Sequence, residues 1–294
     1  FALQFRKPTK FYRSLQMNFN EWSYWNTAGM QQQNGLNTNW HLNAPNNWFY
    51  NAGITVNGLG TPIDDRAARG GPAVRRSLSY YPWVGFNWDD RAAVAPGLYF
   101  NFGSWDEGRS WFSDISPSVD MKPSSATQVS VGMDFYRQGE NTQYYGTFSD
   151  VAGTHYTFAH LDQSQLSLST RVSYTMTPTL TLQVYAQPFV TKGTYSDIRE
   201  LSATPRADAY DDRFQSFTPP AGSDAGFNFK QFRSNTVVRW EFRPGSTLFA
   251  VWTHGRTGFN SVEGNKSWGN EYDDLFALHP ENTFLVKLAY WLSR

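Results

Sequence analysis

Cysteine is absent from the 294-residue chain, which removes disulfides and thiolate metal sites from consideration. No run approaches the roughly 18 consecutive apolar residues that a membrane-spanning helix needs. Charge is scarce, at 17% of residues, where an ordinary soluble domain carries roughly 25%. It is also balanced, 25 Lys plus Arg against 25 Asp plus Glu, so no basic surplus points to nucleic acid as a partner. No GxSxG, Walker or GxGxxG pattern occurs, which leaves serine-hydrolase and nucleotide-binding readings without support. His41, His155, His160, His254 and His279 are scattered without metal-ligand spacing. The chain therefore reads as non-enzymatic, with no metal and no cofactor expected.

Against these absences stands a surplus of rings. Aromatics reach 17%, with 12 Trp, 16 Tyr and 23 Phe, in a chain whose mean hydropathy is only -0.55. Amphipathic rings in a polar background suit membrane interfaces or sugar stacking. The clearest pattern runs from Gln165 to Val190. Leu166, Leu168, Val172, Tyr174 and Met176 share one parity, while Gln165, Ser167, Ser169, Arg171, Ser173 and Thr175 share the other. After the break Thr177-Pro178-Thr179, Leu180, Leu182, Val184, Ala186 and Val190 repeat the alternation against Thr179, Thr181, Gln183 and Gln187. Period two means β-strands with one apolar and one polar face. Strands in soluble sheets usually run about five or six residues, whereas a tilted membrane-crossing strand needs about nine to eleven. These are long enough to cross.

Splitting the chain at turn signals predicts about fourteen strands, near 11–25, 31–42, 47–57, 73–88, 92–104, 108–119, 126–138, 141–149, 153–162, 165–176, 179–191, 228–243, 246–257 and 281–292. The short breaks Asn43-Ala44-Pro45-Asn46, Lys122-Pro123-Ser124, Thr177-Pro178-Thr179 and Arg243-Pro244-Gly245-Ser246 all follow even-numbered strands. The long loops 58–72, 192–227 and 258–280 all follow odd-numbered ones. Short turns on one side and long loops on the other are the pattern of an outer-membrane barrel. The fold expected is thus all-β, a transmembrane antiparallel up-and-down β-barrel over 11–294, with 1–10 the end of a preceding segment or a periplasmic lead-in.

Parity assigns roles. Trp40, Trp48, Phe86, Trp88, Tyr174, Trp240, Phe242 and Tyr290 fall on the outward parity near the short-turn ends, as an aromatic girdle at headgroup depth does. Arg171, Arg233, Arg239, Glu241 and Lys287 point inward, where they tune a pore or close it by pairing. Arg13, Glu21, Arg76 and Lys230 break the outward pattern near strand ends, where long side chains snorkel. Arg66, Arg69, Arg75 and Arg76 surround Gly70-Gly71-Pro72 at the expected outer rim, a geometry for lipopolysaccharide phosphates or simply a solvated loop. Paired acids at Asp64-Asp65, Asp89-Asp90, Asp211-Asp212 and Asp273-Asp274 read as loop chemistry; Glu271 with Asp273 and Asp274 is the best calcium candidate.

Three segments carry a resemblance: LDQSQLSLSTRVSYTMTPTLTLQVYAQPFV (161–190), NTVVRWEFRPGSTLFAVWTHGR (235–256) and ENTFLVKLAYWLSR (281–294). They resemble a bacterial family of unknown function in which a barrel-like C-terminal region follows a domain similar to family 9 carbohydrate-binding modules. The resemblance implies an outer-membrane protein of a Gram-negative bacterium and assigns no residue roles. One departure is that Trp291 is followed by Leu292-Ser293-Arg294, where many such proteins end on an aromatic residue. The expected function is a membrane anchor or pore of a larger exported protein, handling a polar solute such as a carbohydrate. Its partners would be outer-membrane lipid and lipopolysaccharide, with proteins meeting the long loops. The alternatives are a soluble all-β glycan-binding or glycan-cleaving protein, and a structural scaffold in an outer-membrane complex.

Overall fold

The computed structural model describes residues 1–60, 62–261 and 266–292. Thr61 of the first long loop, residues 262–265 of the third, and Ser293-Arg294 lie outside the described residues. In chain order the strands are β1 (Ala2–Phe5), β2 (Ser14–Trp25), β3 (Gln31–Asn43), β4 (Phe49–Asn57), β5 (Ile63–Asp64), β6 (Val74–Arg75), β7 (Ser79–Asn87), β8 (Val94–Trp105), β9 (Ser110–Ser124), β10 (Thr127–Asp150), β11 (Gly153–Thr177), β12 (Leu180–Leu201), β13 (Phe214–Ser216), β14 (Gly226–Arg243), β15 (Ser246–Asn260) and β16 (Glu281–Ala289). The helix α1 is Trp268–Ala277. One antiparallel sheet of fourteen strands runs β1-β2-β3-β4-β7-β8-β9-β10-β11-β12-β14-β15-β16, with β13 added to β12; β5 and β6 form a separate ribbon.

The all-β meander is as expected, but the fourteen are not the fourteen anticipated. Segments 126–138 and 141–149 are one 24-residue strand, β10, and 153–162 with 165–176 form the 25-residue β11. The polar stretch Glu140-Asn141-Thr142 is a register shift between Glu140 and Gln143, not a turn. A bulge breaks the alternation as a chain reversal does, so it reads as an end. Strand β9 likewise runs on through Lys122-Pro123 to Ser124, and the reversal is Ser125-Ala126. The segment 1–10 contains β1, which pairs with β2.

The sheet is not a closed ring. Among the described residues β16 pairs with β15 alone, and no ladder joins it to β1 or β2. Its nine residues face no matching edge, because β1 spans four residues and pairs only with Leu15–Asn18 of β2.

Register confirms the two faces of the Gln165–Val190 hairpin. Leu166 lies opposite Val190, Val172 opposite Val184 and Tyr174 opposite Leu182, while Ser173 meets Gln183 and Gln165 meets Thr191. Loops from distant strands meet over the polar face, which is therefore concave. Arg75, in β6, pairs with Asp208, after β12, and Arg213 reaches Ser77 Oγ at 3.0 Å. The buried hydrophobic cluster Ala68, Val74, Phe158, Tyr210 and Phe214 sits here, beneath those loops. The apolar face has no such cover over most of its area: Phe284 is 74% exposed, Val286 72% and Trp240 46%.

One part of that face is covered, by α1 in what was expected to be a loop. Ser267 caps the helix, and Trp268 and Phe276 pack edge-on to Phe135 and Phe232 at 6.0 and 5.3 Å. Tyr272 Oη donates to the Leu166 carbonyl at 2.9 Å. Glu271 is fully buried; it pairs with Lys230 Nζ at 2.6 Å and Lys192 Nζ at 3.7 Å and accepts two 3.1 Å bonds from Asn228 Nδ2. Lys230 thus breaks the apolar parity because it holds α1, and Glu271 is its counter-charge, not a calcium ligand. Removing one partner of a buried pair leaves an uncompensated charge. Glu271→Ala is expected to destabilise the fold by about 3 kcal/mol, and Glu271→Leu with Lys230→Met to recover most of it, both read by denaturant unfolding in detergent.

Candidate functional site

The long-loop end of the concave face, over β7 to β10, holds the densest chemistry. Polar-face positions here alternate rings with glycines across neighbouring strands. A side-chain carbon at Gly103 would run into Phe112 and Tyr81, one at Gly53 into Trp83, one at Gly85 into Tyr99, and one at Gly35 into Trp22. Each glycine lets its neighbour's ring lie flat on the sheet with its other face turned to the concavity, a cross-strand device that also compensates for glycine's weak strand packing. At the loop end the rings join into a strip. Tyr81 and Phe112 centroids are 6.0 Å apart at 26°, Phe112 and Tyr136 5.6 Å at 23°, and Trp105 lies 6.2 Å from Tyr81.

The strip ends at two carboxyl groups. Asp106 and Glu107 occupy the tight turn between β8 and β9 with φ of 52° and 58°. This left-handed backbone costs about 1 kcal/mol per residue and aims Asp106 inward. Its Oδ2 accepts from Ser110 Oγ at 2.6 Å and Thr142 Oγ1 at 2.7 Å. Thr142 Oγ1 also lies 2.8 Å from Glu140 Oε1, to which Trp105 Nε1 donates at 3.1 Å. A hydroxyl has one proton and serves one of two acceptors at a time. Glu140 lies three residues beyond the exposed Arg137 that ends the apolar parity of β10. Burial first, and Asp106 to a lesser degree, push the Glu140 carboxyl above its ordinary value, against the opposing bonds from Thr142 and Trp105.

Loops roof this corner. Tyr210 Oη donates to the Asn141 carbonyl at 3.1 Å, which also accepts from Arg199 Nη2 at 2.7 Å. A cavity of 620 Å³ results, lined by Tyr81, Trp105, Tyr136, Gln138, Glu140 and Asp106 on the sheet and by Asp64, Arg75, Arg76 and Phe214 from the loops. Two carboxyl groups, two arginines and flat rings can hold a polyhydroxylated ligand without displacing any backbone bond.

The expected residues are distributed unevenly. Trp48, Phe86 and Trp88 gather on the apolar face, with Trp48 4.1 Å from Trp88 and 5.5 Å from Phe86. Trp240, Phe242 and Tyr290 form a second group at 5.8 and 6.4 Å; Trp40 and Tyr174 stand singly, both exposed. The inward charges do not form one network. Arg239 and Glu241 pair at 3.1 Å, Arg171 stacks over Tyr185 at 4.9 Å, and Arg233 and Lys287 lie opposite Gly255 and Phe249 on the polar face. Nor do the rim arginines form a free cluster. Arg75 is bound to Asp208, Arg76 to Asp64 at 2.6 Å, and Arg69 stacks on Tyr144 at 4.4 Å; Arg66 is exposed. Reading the sequence by parity missed Asp106, Glu140 and the flat rings. The glycines of polar parity at 35, 53, 85 and 103 were the available signal.

The model of a family described as a domain of unknown function (DUF5916) matches residues 1–293. The chain belongs to the DUF5916 family. No curated protein matches it. For this DUF5916 chain the carboxyl corner makes a pH prediction. A folded-state value above the ordinary 4.5 means that Glu140 contributes stability fully below pH 4.5 and loses it as pH rises through the raised value. Glu140→Gln is expected to abolish that slope in thermal unfolding scans toward mildly alkaline pH. Glu140→Ala, leaving the Trp105 indole N–H without its partner, is expected to cost about 2 kcal/mol below pH 4.5 and less as pH rises.

Proposed function

We propose that this chain is a transmembrane β-barrel of a Gram-negative outer membrane, serving as anchor or pore of a larger exported protein and passing or holding a polar solute. The observation that carries the reading is the uncovered apolar face. Monomeric soluble proteins rarely expose contiguous apolar patches beyond a few hundred Å², and here exposed apolar residues recur along strands from Phe19 in β2 to Leu288 in β16. Lipid is the solvent that stabilises such a face, while the polar parity lines an interior.

Two features support the same reading. Aromatic groups collect on the apolar face beside the turns at 88–93, 178–179 and 244–245, as rings do at headgroup depth. Connections at that end are short, whereas 58–78, 202–225 and 261–280 lie at the other. Lipid cannot satisfy an unpaired strand edge, so in the membrane the free edges of β2 and β16 are expected to be paired, closing the barrel. On this reading the loops meeting over the polar face restrict the mouth, and a module resembling family 9 carbohydrate-binding domains is the expected companion in the periplasm.

The test is fractionation of native membranes followed by planar-bilayer recording. The protein is expected in the detergent-extracted outer-membrane fraction with heat-modifiable gel migration; recovery in the soluble fraction overturns the barrel. Deleting residues 203–213, which carry Tyr210, Asp208 and Arg213, is expected to raise unitary conductance severalfold. A folded protein that stays silent with and without them is an anchor and not a pore.

A further inference from the structure

The flat rings and the carboxyl corner have a common chemistry that neither anchoring nor conduction requires. Every polar-parity position of β2, β3, β4, β7 and β8 is free of Asp, Glu, Lys and Arg. In their place stand flat aromatic faces and amides. Asn18 Nδ2 donates to Asn39 at 2.6 Å, Asn37 Nδ2 to Thr55 at 2.9 Å and Asn51 Nδ2 to Tyr99 at 3.2 Å, with Trp83 and Tyr99 lying flat among them.

We propose that this sector, ending in the cavity bounded by Trp105, Asp106 and Glu140, is a binding track for a neutral pyranose oligosaccharide. A pyranose has apolar C–H faces that stack on aromatic rings and an equatorial rim of hydroxyls that both donate and accept. The sector offers both halves of that surface: rings held parallel to the wall, and amides bordering them. An anionic solute would find no counter-charge along the floor, where the acids Asp114 and Asp134 border Tyr136 on β9 and β10. A flat aromatic solute would stack but leave the amides unpaired, at a cost in affinity. The ring spacing of 5.6–6.0 Å across Tyr81, Phe112 and Tyr136 is close to the rise of one sugar unit in an extended glycan. The cavity's 620 Å³ lies within the roughly 300–1,000 Å³ of small-molecule sites. At its end, Glu140, Asp106 and Gln138 line the cavity and offer oxygens to sugar hydroxyls.

The inference rests on the concave face being the water-filled interior of the proposed barrel, and its test separates the two. Detergent-folded protein, checked by heat-modifiable migration, is titrated with maltohexaose, cellohexaose and laminarihexaose, and with an alginate hexamer as the anionic control, following tryptophan fluorescence and calorimetry. Saturable binding is expected with at least one neutral hexaose. Tyr81→Ala and Phe112→Ala are each expected to weaken it about tenfold, while Phe100→Ala, on the opposite face of β8, leaves it unchanged. Folded protein that binds none of the three, binds the alginate equally well, or loses affinity equally in Phe100→Ala overturns the saccharide track and leaves the membrane reading intact. Saturable binding by protein found in the soluble fraction supports the track and overturns the barrel.

Discussion

The rest of this structure depends on one constraint: a fourteen-stranded sheet whose apolar side, among the described residues, is left uncovered over most of its area. In a soluble fold the hydrophobic face of a sheet is covered by helices or a second sheet, and burial of that face provides most of the stability. Among the described residues, α1 (Trp268–Ala277) covers part of that side. The buried hydrophobic cluster around Phe158, Tyr210 and Phe214 lies on the polar side, under loops. The fold is inverted relative to a globule, and the proposed outer-membrane setting is the account of its apolar face.

That inversion places the burden of specificity on the concave side. Amide and hydroxyl ladders satisfy one another across strands, as in Gln138 to Gln163 at 2.8 Å and Gln163 to Thr191 at 2.9 Å, and partners within reach are what make a buried polar surface tolerable. The same side holds the strained turn at Asp106, the Thr142 hydroxyl between Asp106 and Glu140, and the rings laid over glycines. On the opposite side the buried Glu271, Lys230 and Asn228 tie α1 down by charge where apolar packing alone would not fix its position. Both are buried polar devices that hold a unique geometry against a competing, less specific collapse.

Much of this was legible along the chain. Alternation over Gln165–Val190 gave the strand faces, proline and glycine breaks gave most of the turns, and the segregation of short and long connections gave the polarity of the meander. These are local signals, set by a side-chain period of two. What escaped was set by distance. The bulge at Glu140–Gln143 imitates a strand end, because both interrupt alternation. Helix α1 escaped because its decisive partner, Lys230, lies far back in the chain and looked like a mere exception to parity. Rings over glycines belong to pairs of strands, as Gly103 with Phe112 and Gly53 with Trp83, and a single strand read alone shows only a glycine.

The central claim is that the two parities of one strand meet two different solvents, and the absence of cysteine makes it directly measurable. Single substitutions Leu168→Cys, Ser169→Cys, Val172→Cys and Ser173→Cys, spin-labelled in protein reconstituted into lipid vesicles, report collisions with oxygen, which concentrates in lipid, and with a water-soluble paramagnetic complex. The account predicts strict alternation, with positions 168 and 172 oxygen-accessible and 169 and 173 accessible to the polar complex. Uniform access of all four labels to the polar complex would contradict it.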